Sequence, residues 1–179
     1  QPAAIATIAT GSIPYYHGIV SPQWLDRNTL RQIYCVDDNR YGDSPANLKT
    51  STVSDEMKIS SAGASIVYSI AADKSSAILS AGHAADNAIW FDGTRRKWQT
   101  SPYYGASPKW LNTGIFSHDI SNDDIATKAG EIVSKTSMGT DNITDMLSIT
   151  LSATSSDNAV GNWQNRMQSV YTKLDNTLG

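Results

Sequence analysis

Cysteine is almost absent: Cys35 stands alone among 179 residues, so no disulfide can form within the chain. The usual inference from disulfides to an oxidising compartment therefore has nothing to work on. With no histidine close to it in sequence, Cys35 is expected to be a buried, inert thiol. Long apolar runs are missing as well. The stretch from Ser76 to Ala81 is among the longest, far too short to span a bilayer, so no membrane partner is expected. Basic clusters are equally scarce. Lys and Arg number 14 against 17 Asp and Glu, for a net charge of −3. Arg95-Arg96-Lys97 is the one basic triplet, and beside the turn signal Asp92-Gly93 it reads as a solvated hairpin tip. No nucleic acid is expected as a partner. Neither G-x-S-x-G nor a phosphate-binding G-K-S/T loop is present, and Gly11 alone is adequately explained as a helix end. Gln1-Pro2-Ala3-Ala4 has neither the basic start nor the apolar stretch of a signal peptide. The small-residue helical pattern that follows suggests a start inside a larger domain.

What is present is a folded domain's composition, with 40% hydrophobic and 17% charged residues. Ala3 to Ala9 is helix-compatible and stops at Gly11. Gly18-Ile19-Val20 reads as a short extended piece ended by Pro22, and Asp37 to Lys49 as a long surface excursion. A helix is expected from Val53 to about Ser60, with Ser51 or Thr52 as cap, Asp55-Glu56 in the first turn, and Gly63 beyond its end. Ser65 to Ala71 has the apolar density of a buried parallel strand, and Ser75 to Ala85 reads as a short helix. Asn87–Asp92 and Lys97–Ser101 form two arms of a hairpin. Ser121-Asn122-Asp123-Asp124 caps a helix carrying Ile125, Ala129, Ile132 and Val133 at helical spacing, closed by Gly139. Met146 to Leu151 is a second buried strand. Trp163, Met167, Val170, Tyr171, Leu174 and Leu178 share one face of a last helix, worth on the order of 10 kcal/mol before entropy if buried. Alternating helices and buried strands imply an α/β layer fold with a mostly parallel sheet.

Four stretches, in order and covering nearly the whole chain, carry a resemblance. They are Thr7 to Val20 with its ATG-x-x-P-x-x-HGI pattern, and Ser44–Leu48 followed by Thr52–Lys58. Then come Ala77 to Asp92 with AIL-x-AGH-x-AD-x-A-x-W-x-D, and Asp145–Ile149 followed by Tyr171–Asp175. Together these segments resemble the alkaline phosphatase superfamily, in its type I phosphodiesterase/nucleotide pyrophosphatase branch. The resemblance implies a doubly wound, mostly parallel α/β sheet with helices on both faces. It also implies that residues 1–179 form one α/β domain, the middle part of a larger catalytic domain whose other parts are its partners. The family works with two zinc ions and a threonine nucleophile, since metals lower a nucleophile's pKa and neutralise charge on the transferring phosphoryl group.

Several slots depart from that pattern. The resemblance implies a first zinc-binding Asp and the nucleophile upstream of these residues or right at their start, and counting back from Thr10-Gly11 puts the nucleophile's slot near Gln1, which cannot play that role. The phosphate-contacting asparagine's slot falls on Pro22, which has no side-chain donor and no N–H. A Lys-x-Arg pair of the monoesterase subgroup becomes Asp73 and Ser75, with Lys74 between them. The Asp-x-x-x-His zinc pair reads Asp157 to Gly161 and keeps only its carboxylate. Asp157 is therefore the one candidate metal ligand, and a catalytic zinc normally needs three protein ligands. No cofactor is expected for this chain itself; zinc is an expectation for the full-length protein alone.

Thr10, His17 and His83 are the candidate substrate-binding residues, with a phosphate ester or other small molecule as ligand, and no catalytic residue is assigned. Each has a structural reading beside the functional one: a helix end for Thr10, a hydrogen-bonded turn for His17. The His83-x-x-Asp86 spacing fits either a ligand or relay pair, or a structural pair holding the AGH turn to the sheet. His118-Asp119 reads as a solvated loop. Trp90, Trp98, Tyr103, Tyr104 and Trp110 suit a sugar or base groove, or core and edge packing. Two functions follow: a catalytically degenerate member of the superfamily, or a zinc-dependent phosphoester hydrolase whose nucleophile and most ligands lie outside these residues. Export to the bacterial periplasm or surface is implied by the resemblance alone.

Overall fold

The computed structural model describes residues 1–27, 29–112, 116–153 and 163–179. Its frame is a four-stranded sheet in the order β7-β6-β5-β8, formed by β5 (Val67–Ala71), β6 (Asn87–Asp92), β7 (Lys97–Thr100) and β8 (Met146–Thr150). β6 and β8 both run parallel to β5, while β7 returns antiparallel to β6 across the expected hairpin. The chain leaves β5 on one side for β6 and reaches β8 on the other. The strand order therefore reverses at β5, the arrangement in which open α/β sheets bind ligands at strand C-termini.

Alternation along β5 and β6 splits the core in two. Val67, Ala71, Ala88 and Trp90 face α4 (Lys74–Ala81) and α1 (Pro2–Thr10), with Ala6, Ala77, Ile78 and Leu79 in the same cluster. Ile70, Ile89 and Phe91 face the other way, onto Ile125, Ala129 and Ile132 of α5 (Asn122–Thr136), together with Trp98 and Leu111. Helices thus cover both faces, as a doubly wound sheet requires. The caps follow the sequence. Thr52 and Asp55 form a reciprocal capping box on α3 (Val53–Ser60), as Ser121 and Asp124 do on α5. Gly11 ends α1 at φ +64.

Other elements differ from the sequence expectation. Gly18–Val20 joins no ladder: Pro14 starts a one-turn helix, α2 (Pro14–His17), and Gly18 ends it at φ +81. The strand lies beyond Pro22, as β1 (Gln23–Leu25) pairs with β2 (Gln32–Tyr34). The Asp37–Lys49 excursion holds a small hairpin of β3 (Asp37–Asp38) and β4 (Gly42–Asp43), and it buries Ser44 and Leu48. α4 stops at Ala81 rather than Ala85, because Gly82 adopts φ +72, ψ −156. Val133 of α5 is exposed, not core. β8 is an edge strand among the described residues and only half buried, with Ile149 45% exposed. α6 (Trp163–Leu178) forms as expected, yet none of its residues is buried, and Trp163 and Leu178 are 66% and 72% exposed. Helical spacing fixed the stripe but could not supply the surface that covers it.

Candidate functional site

Beyond the C-terminal ends of β5 and β6, where the chain turns into α4 and into the β6–β7 hairpin, lies a cleft of about 630 Å³. Asp43, Asp73, Lys74, Asp92, Arg95 and Ser101 are among its lining residues. Asp73, one of them, is the N-cap of α4. The carboxylate accepts from the Ser76 backbone N–H at 3.0 Å, from Ser76 Oγ at 2.6 Å and from Ser75 Oγ at 2.5 Å. Burial pushes this carboxyl up, but the hydrogen bonds from Ser75 and Ser76 outweigh it and hold it below the usual range. The start of a helix, with its unpaired N–H groups and positive dipole end, attracts an anion. Here the protein's own carboxylate takes that place.

Lys74 turns away from Asp73. Its Nζ pairs with Asp43 Oδ1 at 2.6 Å and lies 4.8 Å from the centre of the Tyr34 ring. Burial lowers its pKa, but the hydrogen bond and charge of Asp43 prevail and keep the ammonium protonated above its ordinary value. Asp92 accepts from the N–H groups of Thr94 and Arg95, and its other oxygen stands 3.5 Å from the Arg95 guanidinium. Ser101 donates to the Asp43 carbonyl, tying the β4 end to the segment after β7. The named ionic groups carry three negative and two positive charges, each already engaged with a neighbour.

A second constellation lies at the other end of α4. Asp55, 4% exposed, accepts from the backbone N–H groups of Thr52, His83 and Ala84 at 2.7–2.8 Å, and from His83 Nδ1 at 3.2 Å. Burial pushes the Asp55 carboxyl up, yet His83 and the N–H donors hold it at about 2. Gly82 makes this approach possible, since a Cβ there would stand 2.2 Å from Thr52 Oγ1 and 2.7 Å from Asp55 Oδ2. Sequence spacing showed Asp55 as a first-turn carboxylate. It gave no sign that residues 28 positions later would converge on it; the signal available was the Thr-x-x-Asp box itself.

The candidate residues take separate places. Thr10 Oγ1 donates to the Ala6 carbonyl at 2.7 Å and lies 2.9 Å from Ser12 Oγ, within the turn that ends α1. His17 is fully buried. Its Nδ1 accepts from the Ile19 N–H at 3.1 Å, so the proton of the neutral ring lies on Nε2, which donates to Thr7 Oγ1 at 3.1 Å. Burial lowers its pKa and favours that neutral form. His83 and Asp86 do not pair. Asp86 instead bonds Lys58 at 2.7 Å and the Val67 N–H at 2.7 Å. His118 meets Asp124 at 3.1 Å at the start of α5. Asp157 and Gly161 lie outside the described residues. Pro22 is exposed, and Gln1 precedes α1 without a side-chain capping bond.

Of the candidate aromatics, Trp90 is largely buried yet lines the cleft, whereas the others pack. Trp98 is buried against Phe91 and Phe116, and the Tyr103 and Tyr104 hydroxyls donate to the His83 and Gly82 carbonyls. Cys35 is buried, and burial pushes its thiol up to about 11. Among the described residues no three His, Cys, Asp or Glu side chains converge as a metal site. The described donor set therefore does not fit a zinc ion.

The type I phosphodiesterase/nucleotide pyrophosphatase family model matches residues 2–179. Alkaline phosphatase PafA of Elizabethkingia meningoseptica is 36% identical over 118 residues, 59% of this chain and 22% of that protein. Alkaline phosphatase PhoV of Synechococcus elongatus is 34% identical over 118 residues, 60% of this chain and 22% of that protein. The crystal structure of wild-type PafA superposes with a TM-score of 0.83 at 22% identity, over 99% of this chain and 48% of that one. The chain thus matches about half of the solved relative and less of each full sequence. It keeps that fold's mostly parallel sheet, and by the match along nearly its whole length it belongs to the type I phosphodiesterase/nucleotide pyrophosphatase family of the alkaline phosphatase superfamily.

Proposed function

We propose that this phosphodiesterase-like domain keeps the superfamily's frame but has lost the means to grip a phosphoryl group, and is catalytically degenerate. One observation carries the reading: the anion-attracting start of α4 is occupied by Asp73. By the resemblance, Asp73 and Ser75 stand where the monoesterase subgroup has Lys and Arg. Replacing cations by a carboxylate and a hydroxyl reverses the local field felt by a phosphate dianion. At 4 Å and an effective dielectric near 20, each such charge is worth about 4 kcal/mol. Lys74 offers no rescue while Asp43 holds it. The substitutions at the Gln1 and Pro22 slots point the same way.

The alternative is a zinc-dependent phosphoester hydrolase whose nucleophile and most metal ligands come from residues outside this chain, with Asp157 as the one candidate ligand within it. In it the cleft would form one wall of the substrate site. Binding of orthophosphate and of vanadate to the full-length protein, measured by titration calorimetry with and without added zinc, separates the two. The degenerate reading expects no saturable binding up to millimolar anion. Saturable micromolar binding that disappears in Lys74→Ala would favour the hydrolase. As a remnant binding module, the domain would take a small molecule other than a phosphomonoester, and an exported location is carried over from the resemblance as part of the same proposal.

A further inference from the structure

His83 presents both ring nitrogens to acceptors. Nδ1 faces Asp55 Oδ2 at 3.2 Å, and Nε2 faces the Leu48 carbonyl at 3.0 Å. A neutral imidazole has one N–H and one lone pair, so it can satisfy one of these oxygens and must repel the other; the imidazolium satisfies both. The side chain is 36% exposed, which leaves a route for proton exchange with solvent.

We propose that His83 is a proton-operated latch: protonated, it ties Asp55 of α3 to the Leu48 carbonyl; neutral, it keeps Asp55 and releases the segment around residues 44–50. The direction of release follows from the partners. Asp55 is fixed by three backbone N–H donors whatever the state of the ring, and a carboxylate is the stronger acceptor. The remaining N–H therefore stays on Nδ1, and the bare Nε2 faces Leu48.

The Leu48–Lys49 peptide is the moving part. Its carbonyl meets His83, while its N–H, on Lys49, donates to the His17 carbonyl at 3.0 Å. The Leu48 N–H donates to the Pro45 carbonyl at 2.8 Å. Losing the His83 contact thus loosens the link between the AGH turn and the His17–Gly18 turn. Asp43, which pairs with Lys74 in the cleft, directly precedes this segment.

The other groups facing His83 are known. The Pro45 carbonyl also supports the protonated ring. From the Pro102–Tyr104 turn, Tyr103 donates to the His83 carbonyl and Tyr104 to that of Gly82. Beyond Tyr103 stand Tyr41, its ring centroid 5.3 Å away, and Asp38. The hydrogen bond that His83 donates to Asp55 raises the His83 pKa above 6.5 against a smaller lowering by burial. The latch is therefore closed below about pH 6.5 and opens as pH rises through the raised folded value.

The test is a pH titration of the full-length protein by NMR. Ring ¹⁵N shifts of His83 report its protonation, and exchange of the Leu48 and Lys49 amides, divided by intrinsic rates, reports the segment. The expected result is a His83 midpoint above the ordinary value. Across that midpoint Leu48 and Lys49 exchange should rise roughly tenfold, as loss of a charge-assisted hydrogen bond implies, while Ile70 in β5 stays flat. In His83→Gln the step should vanish. A midpoint at or below the ordinary value, or exchange that does not step with the ring, overturns the latch. The wild-type titration decides the matter even if the variant fails to fold.

Discussion

Two residues set the corner where α3 and α4 meet. Gly82 combines a positive φ with a backbone region open essentially to glycine, and it has no room for a Cβ beside Thr52 and Asp55. Gly82→Ala should lower stability by about 2–4 kcal/mol in urea denaturation. Asp55 gives the same corner a pH signature. Its carboxyl is held at about 2 in the folded state, against an ordinary value near 3.9. The stability it contributes is present above about pH 4 and is lost as pH falls through about 2. That contribution is on the order of 2 kcal/mol. Asp55→Asn should be less stable at pH 7 and should show a flatter loss between pH 4 and pH 2, read from urea midpoints. These roles were only partly legible in the sequence. The Thr52–Asp55 cap could be read from spacing, because capping is local. The convergence of His83 and Ala84 on Asp55 could not, because it depends on how α4 lies against α3.

At the scale of elements, the strongest local signals produced the best expectations. The run around Ile66, Val67 and Ile70 became a central parallel strand, and Asp92-Gly93 became the hairpin turn. α5 starts where its Ser-x-x-Asp sequence says. Ser121→Ala removes the side-chain acceptor of the Asp124 N–H and should lower the thermal midpoint, at a cost of about 1 kcal/mol. Ile132→Ala, at a fully buried position between α5 and the sheet, should cost more, about 2–5 kcal/mol. The misses have a common cause. The β1–β2 ladder is three residues long on each side, too short for an alternation to register. The helical turn Pro14–His17 is only four residues long, too short for a helical period to show. For α6, period alone gave the helix and its apolar stripe, but burial is a property of a neighbour.

At the scale of the molecule, the mostly parallel sheet places β5 between β6 and β8, and a cleft lies beyond the strand C-termini, where open α/β sheets receive ligands. The order of the motifs made that frame legible, since their spacing runs along nearly the whole chain. The interior of the cleft was less so. The resemblance puts Asp73 and Ser75 at the slots of two cations. It did not show that Asp73 caps α4 or that Lys74 pairs with Asp43, contacts set by how the hairpin before residue 44 folds back. These groups are committed to one another, and the proposal is that they leave a phosphoryl group without a grip. The most direct measurement is turnover of nitrophenyl phosphate and bis-nitrophenyl phosphate by the full-length protein, alongside its zinc content by elemental analysis. The expected result is no turnover above the zinc-containing buffer. Near-stoichiometric zinc together with sustained turnover of either ester would contradict it.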